Sequence, residues 1–379
     1  MKEPKIRIKG FQGEWEEKNI GSFCSISIGE FVIKTKQRAN APYPVYNGGS
    51  TNTGYYDQYN QIGPKVIVSA RGAAGFVNKE EGKYWAGNSC YSIGTNDETN
   101  WLFLYYAFKF YQDMYIKAQQ AANIPSVSKS DIQKTILLFP SISEQQSIAS
   151  YFQHLDSLIQ STTKKIESLK QVKAASLQSM FPQEGETTPR VRFKGFEGEW
   201  EKVRLGDCFI ERIENNIYGE MLSVTINNGI IKASDNGRFD NSNNDKSKYK
   251  VVRVGDIAYN TMRMWQGASG YSCYDGIVSP AYTVITPQTE VDSLFFAYMF
   301  KTQHMIALFG LHSQGLTKDT WNLKFPALSL IHILRPNLIA EQRAIASYFT
   351  SLDRKITLQT QRLEKLKRIK AACLDEMFV

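Results

Sequence analysis

The sequence EQQSIASYFQHLDSLIQSTTKKIESLKQVKAASLQSMF at residues 144–181 returns at residues 341–378 as EQRAIASYFTSLDRKITLQTQRLEKLKRIKAACLDEMF. The two copies align without a gap, and about half of their positions are identical. Solenoid proteins have repeats of about 20–50 residues, so a repeat this far apart indicates a duplicated domain instead. The chain of 379 residues is therefore predicted to fold as two related halves.

Both copies are predicted to be long helices, because apolar residues recur at spacings of three and four and neither Pro nor Gly interrupts them. So long and narrow an apolar stripe needs a partner. The simplest partner is the other copy, packed antiparallel in a coiled coil. Thr162 and Gln359 interrupt the stripe at equivalent places, which either fixes the register or marks a kink. The predicted seam residues are Ile148, Phe152, Leu155, Ile159, Ile166, Leu169 and Val172, and in the second copy Ile345, Phe349, Leu352, Ile356, Leu363, Leu366 and Ile369.

A second repeat stands at the start of each half, as PKIRIKGFQGEWEEKNIG at residues 4–21 and PRVRFKGFEGEWEKVRLG at residues 189–206. The alternating apolar residues, such as Ile6 and Ile8, predict a short strand before a glycine turn. Trp15 and Trp200 follow, and both are predicted to pack on the core. Stacking on nucleic-acid bases is the less favoured interpretation of these two residues.

The regions between these repeats differ more but keep a common outline. Residues 66–75 and 257–267 each predict a strand, a tight glycine turn and a second strand, with Arg71 and Arg263 at equivalent places. Apolar stretches predict core helices at residues 101–116 and 294–309, and a last strand that ends at a proline precedes each long helix. Residues 41–60 and 236–250 have loop compositions that differ between the halves, as expected if one scaffold serves two targets.

These patterns predict an α+β fold with two pseudo-symmetric domains, each followed by a long helix. The short polar stretch between Phe181 and Pro189 is interpreted as a linker. The predicted divisions are a first domain at residues 1–142, a first helix at 143–181, a linker at 182–188, a second domain at 189–340 and a second helix at 341–379.

The composition is that of an ordinary globular protein, with 42% hydrophobic and 22% charged residues and no apolar run of membrane length. The five cysteines form no CxxC pair, which favours free thiols in a reduced cytoplasm. The net charge of +8 permits nucleic-acid binding without proving it. We therefore expect a cytoplasmic protein without a membrane segment.

The sequence shows no recognisable catalytic motif. It has no GxxxxGK[ST] phosphate loop, no GxGxxG after a strand and no tetrapeptide of the amino-methyltransferase kind. The four histidines lack the spacing of metal ligands. These absences predict a non-catalytic binding subunit that holds no cofactor or metal of its own.

The repeated openings, the strand–arginine–glycine turns and the EQ…IASYF…LD…I helices, each ending in L-K-x-x-K-A-A-x-L-x-x-M-F, together resemble the specificity subunit of type I restriction–modification enzymes. The resemblance covers essentially the whole chain in the order domain, helix, domain, helix. It implies two target recognition domains, each reading one half of a split, asymmetric sequence of double-stranded DNA, with the paired helices as a spacer.

The same resemblance implies partners. The chain is expected to be non-catalytic and to recruit two methyltransferase subunits and two restriction subunits. S-adenosylmethionine, ATP and Mg²⁺ are then expected only in those partner subunits. No membrane partner is expected.

The candidate DNA-binding residues are polar or basic residues of the two variable regions, because Arg, Lys, Asn and Gln supply contacts to base edges and phosphates. Arg71 and Arg263 are the strongest candidates. Since both domains share them, they are predicted to contact the phosphate backbone, and holding a loop is the alternative. For each of the others a surface role is an equal alternative. The set is Arg71, Lys79, Lys83, Arg238, Lys246, Lys248, Asn260, Arg263, Gln314 and Lys318.

A different class of function is also compatible with the sequence. The chain could be a coiled-coil scaffold that presents two protein-binding domains and binds no DNA. A stand-alone enzyme is disfavoured because the catalytic motifs are missing.

Overall fold

The computed structural model describes residues 3–119, 126–226, 228–236 and 245–379. The chain forms two compact units: unit 1 is Met1–Lys164 with Gln361–Val379, and unit 2 is Lys165–Thr360. Each unit mixes helices and strands, so the predicted duplicated α+β fold is confirmed. Residues 182–188 belong to unit 2, and each unit contains part of both long helices. The domain divisions proposed from the sequence stay predictions.

Unit 1 is built on an antiparallel four-stranded sheet. Its described strands are β1 (Glu16–Asn19), β2 (Ser25–Ile28), β3 (Tyr43–Tyr46), β4 (Gly54–Tyr56), β5 (Gln61–Ile62), β6 (Lys65–Ser69), β7 (Val77–Glu80), β8 (Lys83–Ala86), β9 (Cys90–Gly94) and β10 (Ile136–Phe139). Its helices are α1 (Ile20–Phe23), α2 (Trp101–Gln119), α3 (Lys129–Gln133) and the first part of α4 (Ile142–Ser179). The main sheet has the order β2-β9-β6-β7, and α2 packs on β6 and β7. A second sheet, β4-β3-β8-β5, and the pair β1-β10 complete the unit.

Unit 2 repeats the main sheet. Its described strands are β11 (Glu201–Arg204), β12 (Phe209–Glu211), β13 (Leu222–Thr225), β14 (Gly229–Lys232), β15 (Lys250–Val252), β16 (Ile257–Asn260), β17 (Ser269–Tyr271), β18 (Gly276–Val278), β19 (Tyr282–Pro287) and β20 (His332–Arg335). Its helices are α5 (Leu205–Cys208), α6 (Ser293–Met299), α7 (Gln303–His312), α8 (Phe325–Ser329) and the first part of α9 (Ile339–Met377). The sheet order β12-β19-β16-β17 matches that of unit 1, whereas the added pairs β13-β14 and β15-β18 do not.

Several predicted elements are confirmed and others are wrong. The two strand–turn–strand motifs, the last strands β10 and β20 and the core helix α2 are confirmed. The second core helix is divided into α6 and α7, because Thr302 caps a new helix by accepting from the amide of Met305. Residues 41–60 are more than a loop, since they contain the antiparallel pair β3 and β4. Within residues 236–250, residues 237–244 lie outside the described residues, and Lys250 begins β15.

The predicted strand at residues 6–8 is wrong, and so is its counterpart at residues 191–193. The strands begin only after the tryptophans, at β1 and β11, which pair antiparallel with β10 and β20. Trp15 is 2% exposed and Trp200 is 3% exposed. Their predicted packing role is therefore confirmed, and neither indole is accessible to a base.

Within unit 1, the first part of α4 packs antiparallel against the last part of α9. Asp156 Oδ1 accepts a hydrogen bond from Lys370 Nζ at 2.5 Å. Earlier on α4, the Tyr151 hydroxyl lies 3.3 Å from Cys373 Sγ, which is later on α9. The order of contacts on the two helices is thus reversed, as antiparallel packing requires.

Unit 2 contains the same contacts with the roles of the two helices exchanged. Lys173 Nζ donates to Asp353 Oδ1 at 2.5 Å, and Ser176 Oγ lies 2.9 Å from the Tyr348 hydroxyl. Antiparallel packing of the two helical segments is thus present within each unit.

Most of the predicted seam is buried. Val172 is the exception, because it is 44% exposed and its neighbour Lys173 points to Asp353 instead. The alternating spacing of three and four continues from Leu169 to Lys173, so Val172 lies one position away from the seam. The buried seam residues are Ile148, Phe152, Leu155, Ile166, Ile345, Phe349, Leu352 and Leu363. The half-buried ones are Ile159, Leu169, Ile356, Leu366 and Ile369.

A bidentate ion pair ties each opening segment to the start of a long helix. Arg7 Nε and Nη2 donate to the two carboxylate oxygens of Glu144, both at 2.8 Å, and Nη1 donates to the carbonyl of Gly13, which curls the segment out of an extended conformation. Arg192 binds Glu341 in the same way, at 2.7 and 2.8 Å. Both glutamates are 1% exposed. A buried carboxylate needs its partner, since an unpaired buried charge is strongly destabilising.

The glutamine that follows each of these glutamates fixes the core helix. Gln145 Oε1 accepts from the amide of Asn100, immediately before α2. Gln342 Oε1 accepts from the amide of Asp292, immediately before α6. The repeated Glu-Gln pair therefore joins the long helix both to the opening segment and to the core helix of the same unit.

We expect the substitution Arg7→Met to lower the free energy of unfolding of unit 1 by about 3 kcal/mol, because it leaves the Glu144 carboxylate buried and unpaired. Urea denaturation measures this change. Lys5→Met is the matched control, since Lys5 is 76% exposed in its pair with Glu376 and its loss is expected to cost less than about 1 kcal/mol. Equal effects of the two substitutions would contradict the prediction.

Candidate nucleic-acid interface

The turn between β6 and β7 in unit 1 is covered by a backbone loop. The amide of Ala73 donates to the carbonyl of Gly48 at 2.8 Å, and Ser69 Oγ donates to the carbonyl of Gly49 at 2.7 Å. A Cβ at Gly48 would lie 2.4 Å from the carbonyl oxygen of Arg71, so glycine is required there. The side chain of Arg71 is exposed at this turn.

The equivalent turn between β16 and β17 in unit 2 is built differently. Asn260 Oδ1 accepts from the amide of Met262, and a 3-10 turn at Met264–Gln266 ends at Gly267, whose φ is +80°. Arg263 is exposed here, as Arg71 is in unit 1. Both arginines therefore lie exposed on the same turn of their unit's main sheet, while their positional equivalence and their contact with phosphates stay predictions.

Lys301 of unit 2 supports this turn from the inside. Its Nζ donates to the carbonyls of Gly267 at 2.6 Å, Ser269 at 2.7 Å and Ile226 at 3.0 Å. Burial lowers the pKa of Lys301 to about 8, and the nearby Lys173 lowers it further in the same direction. In unit 1, burial likewise lowers the pKa of the equivalent Lys109 to about 8.

A second segment of unit 2, residues 313–323, lies against the turn. Gln314 and Asn322 exchange two backbone hydrogen bonds, which closes the segment on itself, and the amide of Leu323 donates to the carbonyl of Thr261 at 2.9 Å. The indole rings of Trp265 and Trp321 meet edge to face, with centroids 5.5 Å apart. The turn and the segment therefore form one surface.

Four of the residues chosen from the sequence lie on this surface of unit 2. Lys318 Nζ lies 5.9 Å from the Trp265 ring centroid and 6.0 Å from the Trp321 ring centroid. Arg263, Gln314 and Lys318 are exposed, and Asn260 is half-buried. Hydrogen-bond donors and acceptors of this kind can contact both phosphates and base edges. We call these four residues with the two tryptophans the unit 2 patch.

The structure does not bring the candidates of unit 1 together in the same way. Lys79 is half-buried and pairs with Glu81 at 3.6 Å, and its Nζ lies 5.5 Å from the Tyr105 ring centroid. Lys83 is exposed and lies 4.5 Å from the Tyr59 ring centroid, at the start of β8. The loop that covers the Arg71 turn lies at the other end of that strand, where the amide of Gly87 donates to Tyr46.

The remaining candidates lie before β15. Lys246 is half-buried and Lys248 is exposed, in a turn where the amide of Tyr249 donates to the carbonyl of Lys246. Arg238 lies outside the described residues. The DNA-binding role of all these residues stays a prediction.

Three residues of this surface are not among the predicted ones: Trp265, Trp321 and Lys301. Trp265 and Trp321 carried no signal beyond their residue type, because their contact joins segments far apart in the chain. Lys301 had a signal, since a lysine recurs at equivalent places in two otherwise apolar stretches. Only the structure shows that its Nζ binds the turn.

The fold and this surface define a class of protein. Two copies of one α+β unit share a sheet and an arginine turn but differ around it, as expected of a two-part binding protein. The part of the chain that the structure describes contains no group of three or more His, Cys, Asp or Glu residues that could hold a metal ion. None of the helices described here is long and apolar enough to cross a membrane.

A model of the family described as the type I restriction modification DNA specificity domain matches residues 12–171 and 197–368, and the chain belongs to that family. A protein named as a type I specificity subunit from Mycoplasma genitalium is 22% identical over 209 residues, which cover 54% of either chain. The specificity subunit of a type I restriction enzyme from Methanocaldococcus jannaschii is 23% identical over 296 residues, covering 72% of this chain and 68% of the relative. The match spans only about half the length of the first relatives.

A solved structure gives the same fold. The crystal structure of the S subunit of a type I restriction-modification system from M. genitalium superposes with a TM-score of 0.69 at 19% identity, and the match covers 100% of this chain and 99% of the other. At this level of identity the comparison supports the architecture of the whole chain and carries no residue roles.

We expect Lys301→Met to remove a rise in stability with pH. Because the pKa of Lys301 is near 8 when folded and near 10.5 when unfolded, the unfolded chain binds more protons between these values. The free energy of unfolding of unit 2 should therefore gain about 1 kcal/mol from this lysine between pH 7 and pH 9. Urea denaturation of both proteins at the two pH values tests this. The prediction would be wrong if the difference in free energy of unfolding between the wild type and the Lys301→Met variant were the same at both pH values.

Proposed function

We propose that the chain is the DNA sequence-specificity subunit of a type I restriction–modification complex and reads a bipartite, asymmetric target in double-stranded DNA. The observation that carries the proposal is the family match to both halves, combined with an exposed arginine at the same turn of the same sheet in each unit. One sheet with two different surroundings suits a protein that reads two different half-sites.

In this proposal the shared and the divergent residues have different tasks. Arg71 and Arg263 occupy equivalent places, so they cannot distinguish two half-sites and are assigned to the phosphate backbone. The other polar residues of the unit 2 patch are not repeated in unit 1, and Asn260, Gln314 and Lys318 are assigned to base recognition. Two readers in one chain bind a split site more tightly than either alone, because the second contact becomes intramolecular.

The long helices are assigned the role of a spacer. Each of α4 and α9 is continuous and includes residues of both units. The ion pairs Arg7–Glu144 and Arg192–Glu341 fasten the opening segments to these helices. A spacer of this kind would set the number of base pairs between the half-sites.

The chain is proposed to work in the cytoplasm with two methyltransferase subunits and two restriction subunits and to catalyse no step itself. The S-adenosylmethionine, ATP and Mg²⁺ of the reaction are assigned to those partners. The matched family is described by DNA specificity, not by a catalytic step, which supports this division of tasks.

The test is to purify the chain alone and together with the methyltransferase subunits. Methylation-aware sequencing of DNA from cells that produce the complex should show a split adenine-methylated motif. The purified complex should then prefer a duplex with that motif to a scrambled one, and the chain alone with S-adenosylmethionine should methylate neither. A complex that binds both duplexes equally and yields no motif would favour the protein-binding scaffold instead.

Arg71→Ala and Arg263→Ala should each weaken binding to every duplex, because a phosphate contact is independent of sequence. Each substitution should reduce the slope of log affinity against log salt concentration by about one. Titration of the complex with DNA at several salt concentrations measures both quantities. Unchanged affinity and slope would leave these arginines only the role of holding their turns.

A further inference from the structure

We propose that Trp265 and Trp321 are positioning residues, which hold the Lys318 ammonium beside the Arg263 turn so that Lys318 contacts the DNA half-site of unit 2. The inference rests on the proposed function and deepens it. It assigns a specificity-determining role to one cation and names the residues through which that role depends on the fold.

The indole rings of Trp265 and Trp321 together hold the ammonium group of Lys318, and we call these two rings the lysine seat. Their rings are nearly perpendicular, at 78°, and Lys318 Nζ lies about equally far from both centroids, at 5.9 and 6.0 Å. A cation over the face of an indole is attracted by the negative charge of the ring face. Trp265 Nε1 also donates to the carbonyl of Met262 at 3.0 Å, which fixes this ring on the turn.

The seat matters because a free lysine is flexible. An exposed lysine side chain loses much of its rotamer freedom when it binds DNA, and this loss opposes binding. A lysine already held on two rings loses less, so its contact is stronger and better directed. Trp265 belongs to the turn and Trp321 to the segment of residues 313–323, so their contact also places Lys318 on the same surface as Arg263.

Among the residues of unit 1 that the structure describes, none forms an equivalent lysine seat at the turn. Ala73 stands in sequence where Trp265 stands in unit 2, and its amide is bonded to the Gly48 carbonyl. A Cβ at Gly72 would already meet the Gly48 carbonyl oxygen at 2.7 Å, so the covering loop fills the space.

A lysine over two rings does occur in unit 1 at Lys79, whose Nζ lies 5.6 Å from the Trp101 ring centroid and 5.5 Å from the Tyr105 ring centroid, but it lies on β7 and not on the turn. Lys83 over Tyr59 lies at the start of β8, away from the turn. The two units therefore present cations in different places, as two different half-sites require.

The experiment uses the complex with its methyltransferase subunits and three duplexes: the full target and two versions with one half-site scrambled in each. Lys318→Met should lower affinity for the full target about tenfold, reduce the salt slope by about one and weaken discrimination at only one half-site. Lys318→Arg should retain most of the affinity, because arginine also lies well over indoles. Lys202→Met is the control, since Lys202 is an exposed lysine on β11 in the same unit and should change nothing.

Trp265→Leu and Trp321→Leu should each lower affinity about two- to fivefold at the same half-site and leave the salt slope unchanged, because the lysine charge remains. The phenylalanine variants keep a ring and should stay close to the wild type. The decisive readout is the double mutant. In the Lys318→Met variant, the added substitution Trp265→Leu should not further change the preference for the full target over the scrambled duplexes.

The inference would be overturned if Trp265→Leu reduced the preference for the full target over the scrambled duplexes equally in the wild type and in the Lys318→Met variant. It would also be overturned if the Lys318→Met complex kept the wild-type preference. Both outcomes presuppose a wild-type complex that prefers the full target. A wild-type complex without that preference contradicts the proposed function itself, so the two failures can be told apart. Thermal unfolding of each variant shows whether lost binding merely reflects a lost fold.

Discussion

The buried ion pair between an opening arginine and the first glutamate of a long helix is the constraint on which both units depend. Arg7–Glu144 and Arg192–Glu341 each join residues more than 130 positions apart, and each glutamate is 1% exposed. The carboxylate is stable in that place only while its arginine is present. Because the next residue in the chain, a glutamine, bonds the amide before the core helix, one dipeptide fixes the opening segment, the long helix and the core together.

The duplication extends from these ion pairs to the helix contacts. Asp156 with Lys370 and Asp353 with Lys173 are the same pair formed twice, once in each unit, with the two helices exchanging roles. Such an exchange follows when two copies of one helical sequence pack antiparallel, since each copy then contributes its start to one unit and its end to the other.

In the proposed function, recognition of the target depends on the parts of the two units that are not duplicated. The main sheets of the two units have the same order, but a glycine loop covers the turn in unit 1, whereas two indoles and a lysine adjoin it in unit 2. The repeated sheet supplies the common scaffold, and the different surroundings present different side chains near the turn. In the proposed function, this division would let one architecture serve two targets without a change of core.

The sequence by itself determined the duplication, the long helices, the core positions of Trp15 and Trp200 and the turns that carry Arg71 and Arg263, because periodicity and repetition are local properties of the chain. It misplaced the strand at residues 6–8, because a long-range arginine contact holds that segment out of an extended conformation. It also placed Val172 on the seam, where the neighbouring Lys173 contacts the other helix instead. Only the tertiary structure brought Trp321 and Lys318 to the turn of Trp265, and only it separated Lys83 from Arg71. Contacts between distant segments depend on how whole elements pack, and no spacing within either segment encodes them.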